Sequence, residues 1–145
     1  MAITTAMCNS FKQELLGGVH DLDTHTLKLA LIKPSPTGSF GAATTNYSEL
    51  TSTSDEASGT NYSAGGQNLD SATITLSGTT AFVDFADEVF SNLTITAAGA
   101  LIYNSSASNK AIAVFSFGSN VASTAGDFTV IFPAADASNA VLRIT

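Results

Sequence analysis

From Gly66 to the last residue the chain is a succession of short runs in which apolar and polar residues alternate, each broken by Gly, Pro, Asn or Ser. A period of two places neighbouring side chains on opposite faces of an extended backbone, which makes a half-buried β-strand. The runs are Ala72 to Ser77, Ala81 to Phe85, Leu93 to Thr96, Gly99 to Asn104, Ala111 to Phe117, Phe128 to Phe132 and Ala140 to Ile144. Gly78-Thr79 and the polar stretch Asn104 to Asn109 read as turns, Gly99-Ala100 resembles one, and Gly118 to Gly126 reads as a loop. Ala111 to Phe117 is apolar on both faces, so it is expected at the centre of a sheet, with Phe115 as a core ring. Upstream, Thr26 to Lys33 adds a strand carrying Leu27, Leu29 and Leu31 on one face, ended by Pro34 and Pro36. Nothing has the rhythm of strands alternating with helices, which excludes a parallel sheet. The expectation is an all-β antiparallel sandwich, jelly-roll-like, of about eight strands with one short N-terminal helix.

That helix is marked by Ser10 and Gln13, spaced as a capping box, by Phe11, Leu15 and Leu16 on one face, and by Gly17-Gly18 as a stop. Two turns of helix are not stable alone, so the apolar face must pack on the domain body or on a neighbouring chain. The remaining segment, Ser35 to Gly66, is rich in Ser, Thr, Gly, Asn and Ala, with a short strand possible at Tyr47 to Leu50. A connection this long is uncommon in a compact domain. It is expected to be a flexible loop or an excursion toward a partner. Residues 1–145 then form a single domain with an N-terminal arm, 1–10, and a long loop, 35–66.

Charge excludes whole classes of function. The formal net charge is 5 − 12 = −7, with four Lys and one Arg scattered along the chain. Nucleic-acid binding requires cations that displace phosphate counterions, and an anionic membrane surface requires the same. Neither partner is expected. Only 12% of the residues are charged, and Ser and Thr make up about a quarter of the chain. Such small, neutral surfaces suit a protein lying against other proteins in an assembly, an extracellular β-protein, or simply a low-charge β-domain. One cysteine, Cys8, excludes an internal disulfide framework and is expected to be buried. The first ten residues lack the basic and apolar regions of a signal peptide, and no run is long enough for a membrane-spanning helix.

Three places could carry chemistry. Asp21, Asp23 and His25 could hold a metal, but their spacing matches no calcium or zinc motif and reads better as a polar connection. Asp84, Asp87 and Glu88 could form the carboxylate pair of a glycosidase. With no Trp to platform a sugar, they read better as a solvated strand end. Asn46, Asn61, Asn92 and Asn104 head glycosylation sequons that a chain rich in Ser, Thr and Asn generates by chance. There is no Gly-x-Ser-x-Gly elbow and no phosphate loop. No enzyme activity, metal or cofactor is expected.

Several segments are distinctive: Thr4 to Leu16, Thr60 to Gly66, Val83 to Asp87 continuing through Phe90 to Asn104, and Ser123 to Pro133. Together they resemble a group of small virion structural proteins of tailed bacteriophages, over nearly the whole chain. Among such proteins, all-β members of this size resemble capsid cement or decoration proteins. The resemblance implies synthesis in a host cytoplasm, a final place on the capsid exterior, and contact with the major capsid protein. It also implies self-association as a homodimer or homotrimer. A tail or fibre adaptor or receptor-binding component is the alternative, and a carbohydrate-binding domain a more distant one. Ile3, Met7, Phe11, Phe40, Tyr47 and Tyr62, in the arm, the first helix and the long loop, are the side chains expected to touch a partner.

Overall fold

Residues 88–130 form one long hairpin, and the rest of the chain is arranged around it. The computed structural model describes residues 2–145. Its strands are β1 (Ala6–Met7), β2 (Leu27–Ile32), β3 (Gln67–Asn68), β4 (Thr73–Ser77), β5 (Thr80–Asp84), β6 (Glu88–Asn104), β7 (Lys110–Val130) and β8 (Leu142–Ile144). Its helices are α1 (Asn9–Leu16) and α2 (Ser48–Ser52). The large sheet runs β1-β7-β6-β2-β3 and the small one β4-β5-β8, with antiparallel pairing throughout. The alternation therefore predicts the class correctly: an all-β sandwich with a short N-terminal helix, here built as five strands and three.

Two pairs of predicted strands prove to be continuous. β6 spans 17 residues and β7 spans 21, so Gly118 to Gly126 is strand rather than loop. Gly99 lies mid-strand opposite Ser116 rather than in a turn. Local turn signals mislead here because shifts in register absorb them: the ladder is irregular between Phe90 and Leu93, Leu93 and Ile95, Ala97 and Gly99, and Ile102 and Tyr103.

Cross-strand partners share a face, so the register sorts the large sheet. Leu27, Leu29 and Leu31 stand beside Asn104, Ile102 and Ala100 on one face; Ala30 and Ile32 stand beside Leu101 and Gly99 on the other. Both sets are buried from Gly99 to Asn104. The first face looks toward α1 and the small sheet. The second is covered by residues 34–66. Phe40 pairs with Ile3, Glu56 bridges Ile32, Ala57 donates its N–H to Leu31 O, and the Tyr47 ring stacks on Tyr103 at 4.6 Å. The long segment is thus a third layer with its own short helix, α2, and with Leu50 buried beneath it. It closes where Gly66, at φ +76°, runs so near β2 that an added Cβ would lie 1.8 Å from Leu29 O.

The arm is likewise part of the body. Ala6 and Met7 pair with Val114 and Ala113, and Cys8 N–H bonds Ile112 O; Met1 lies outside the described residues. Cys8 rather than Ser10 is the N-cap, with extended backbone and no side-chain cap. The Ser10 hydroxyl is buried without a hydrogen-bond partner among the described residues. The helix stop is as read. Gly18, at φ +74°, forms a Schellman end in which Val19 N–H bonds Glu14 O and Gly18 N–H bonds Leu15 O.

Three substitutions check this packing. A capping Ser10 would cost about 1 kcal/mol on change to Ala. Because its hydroxyl is buried and unpaired, Ser10→Ala is expected to leave stability unchanged or raise it in urea melts. Phe11→Ala should cost about 3–5 kcal/mol, and Phe115→Ala roughly half as much, because the Phe115 ring is only half-buried.

Candidate interaction surface

The polar clusters act as internal struts. Asp55 and Glu56 sit together in the covering layer. Buried Asp55 accepts the N–H groups of Thr37 and Gly38, each at 2.7 Å, and pairs with Lys33 at 2.9 Å. Burial opposes its ionisation, but donors from Thr53, Gly38, Thr37 and Lys33 overcome it and hold the carboxyl far below its usual range. Glu56 accepts the Tyr47 hydroxyl at 2.5 Å, the Tyr62 hydroxyl at 2.8 Å and Gly65 N–H at 2.7 Å. Tyr62 also accepts the N–H of Leu31, and Tyr103 donates to Gly65 O. Burial, reinforced by Glu56, pushes the Tyr103 hydroxyl up to about 12 and raises Tyr47 and Tyr62 as well. These phenols stay protonated and act as donors.

A second strut ties α1 to the hairpin turn. Asn104, fully buried, is oriented by Ser106 N–H, which can only donate and so must face Oδ1. The Asn104 NH₂ group therefore faces Nδ1 of both His20, at 3.0 Å, and His25, at 2.9 Å, and both nitrogens accept. His20 then carries its proton on Nε2, 3.2 Å from Glu14, whose other oxygen pairs with Lys110 at 2.9 Å. Asp21 accepts the N–H groups of Asp23 and Thr24 in its own turn. The Asp21, Asp23 and His25 grouping is thus a polar connection, and buried Asn104 is no glycan acceptor. At the other carboxylate cluster, Asp87 accepts Phe132 N–H at 2.9 Å, while Glu88 is buried at the start of β6.

The partner-contact residues expected from sequence divide accordingly. Phe11 and Phe40, at 1% and 3% exposure, are core, because each covers one face of the large sheet. Tyr47 and Tyr62 are half-buried, with their hydroxyls on Glu56. Ile3 packs on the core beside Phe40. Ile3 also lines a shallow polar pocket, whereas Met7, together with buried Phe11, lines an open apolar groove.

That groove, of about 420 Å³, lies between α1 and the small sheet. Register aligns Ile74, Val83 and Leu142 in one row of the sheet and Leu76, Ala81 and Ile144 in the next. All six side chains share a face. Val83 and Leu142 are covered, but Ile74 and Ile144 are each 53% exposed and Leu76 is 72% exposed. Met7 and Leu15 form the opposite wall, and the apolar strip continues to Leu16, which is 92% exposed. Arg143 lines the groove, and Lys12 joins it where the strip reaches Leu16. A sequence scan could find Ile74 and Leu76 by their alternation, but only the pairing shows that α1 leaves them uncovered. No helix among the described residues is long and apolar enough to cross a membrane. No family model matches the chain, and no match emerges among curated proteins or among solved structures.

Glu88 provides a pH test. Burial, with the charge of Asp70, raises its carboxyl to about 7 from 4.5. The folded state therefore binds the proton more tightly. The associated stability is complete below about pH 4.5 and is lost as pH rises toward 7. Chemical denaturation across this range should show stability falling with pH, by up to about 3 kcal/mol from this group. In Glu88→Gln that fall should vanish.

Proposed function

We propose that this chain is a non-enzymatic structural protein of a tailed-phage particle, a cement or decoration protein on the outside of the head lattice. The observation that carries this reading is the apolar groove between α1 and the small sheet, with Leu16, Ile74, Leu76 and Ile144 exposed around it. An aliphatic face left in water on a small chain marks a protein-binding surface. Asp55, Glu56, His20 and His25 support the same reading, because each is engaged in holding layers together. A net charge of −7 favours a component that does not compete for the packaged genome. Binding only the mature lattice would stabilise the shell by linkage, and many copies would act together as a multivalent clamp.

The test is the copy number of the chain in purified particles, by quantitative mass spectrometry against the major capsid protein. A ratio of one, or a simple fraction of it, is expected. A few per cent would assign the chain to the tail, and absence from particles would overturn the virion reading. Leu16→Asp should reduce incorporation at least tenfold without altering the melting curve of the isolated chain.

A further inference from the structure

The free edge of the small sheet has the properties of a self-pairing strand. β4 is an outer strand of the order β4-β5-β8, and all five of its residues are exposed. Its sequence, Thr73-Ile74-Thr75-Leu76-Ser77, contains no charge, proline or glycine. Folded proteins normally blunt such an edge with Lys, Pro or a bulge. The β4–β5 ladder is unbroken from Thr73–Asp84 to Ser77–Thr80.

The hairpin turn determines which groups point outward. Ser77 and Thr80 flank the two-residue turn Gly78-Thr79, with Gly78 at φ +60°, so they form a hydrogen-bonded pair. By alternation Thr75 and Thr73 also bond toward β5. The N–H and C=O groups of Ile74 and Leu76 therefore face away from the sheet. In an antiparallel pair centred on Thr75, Ile74 of one copy lies opposite Leu76 of the other. The outward groups of both copies then meet in register, and the aliphatic side chains stay on one face. Thr75 meets its own symmetry mate on the opposite face, in the close, non-hydrogen-bonded position.

Charge selects the occupant. The chain carries −7, so two copies repel unless they meet where acids are absent. From Ser71 to Val83 no residue is charged, while Asp70 and Asp84 flank this stretch. Asp84 pairs with Thr73, at the β4 end that would meet Ser77 of the second copy. Asp70 would lie toward that copy's Thr80. Neither acid opposes an acid. We infer that β4 pairs antiparallel with β4 of a second copy about a two-fold axis at Thr75, joining two three-stranded sheets into one of six. This inference is independent of where the protein is assembled.

Light scattering on the purified chain, between micromolar and high micromolar concentration, tests the dimer against a protomer mass of 14.8 kDa. The expected result is a concentration-dependent doubling of mass that Leu76→Lys shifts at least tenfold toward monomer with an unchanged circular dichroism spectrum. Register is tested by crosslinking. Opposed Thr75 residues lie about 4.5 Å apart at Cα, within disulfide range. Thr75→Cys should form a covalent dimer under mild oxidation. Ser77→Cys, separated from its mate by roughly 13 Å along the strands, should not. Cys8 is buried and does not compete. A monomer at every concentration, a dimer indifferent to Leu76→Lys, or crosslinking of Ser77→Cys as efficient as Thr75→Cys would each overturn the inference. So would exclusive pairing of β4 with a different protein.

Discussion

The structure depends on burying both faces of a single stretch of sheet. From Gly99 to Asn104, β6 is enclosed on each side, and its neighbour β2 is nearly so. A central strand with apolar residues on both faces requires a layer on either side. One layer is α1 with the small sheet; the other is residues 34–66, which have little regular structure of their own. Fully burying each large aliphatic side chain on these faces contributes about 1.5–3 kcal/mol. That gain offsets the entropy of ordering a covering segment that makes few backbone hydrogen bonds internally.

A covering layer without a sheet of its own must be attached at points, and here the attachments are carboxylates. Asp55 collects two backbone N–H groups and a lysine, and Glu56 collects two phenols and a backbone N–H. A buried carboxylate is costly unless donors surround it, and removing Lys33 would leave the buried Asp55 charge without its counter-ion. The Asn104 amide does the equivalent on the opposite face, where it joins two imidazoles to the hairpin turn. Such points are unforgiving of substitution, which suits segments that must hold one conformation without a ladder.

The repetition of alternating runs made the sheet class legible, and Gly17-Gly18 marked the helix end correctly. Strand continuity was not legible. Gly99 and the stretch Gly118 to Gly126 carry turn residues, but pairing between β6 and β7 overrides them over 17 and 21 residues. Ser10 was misread because an N-cap depends on where the helix enters the fold, and pairing of Ala6 and Met7 with β7 brings that entry forward to Cys8. Of the expected contact residues, Phe11 and Phe40 are drawn inward because each lies over an apolar face of the sheet. A lone aromatic in a polar stretch carries no sign of which side it will occupy. The groove was hidden for the same reason: Leu16, Ile74 and Ile144 are far apart in the chain and meet only through the packing of α1 on the small sheet.

By itself the sequence determined the alternation, and with it antiparallel sheets, a short amphipathic helix, a net charge of −7, and the absence of a disulfide framework. These are local or summed properties, set by side-chain period, composition and charge. The tertiary structure decided what was arm and what was core, which loop residues became struts, and which aliphatic side chains stayed in water. Those outcomes depend on register and on which layer covers which face. Both are non-local, because a side chain is buried only by the residue that the fold places opposite it.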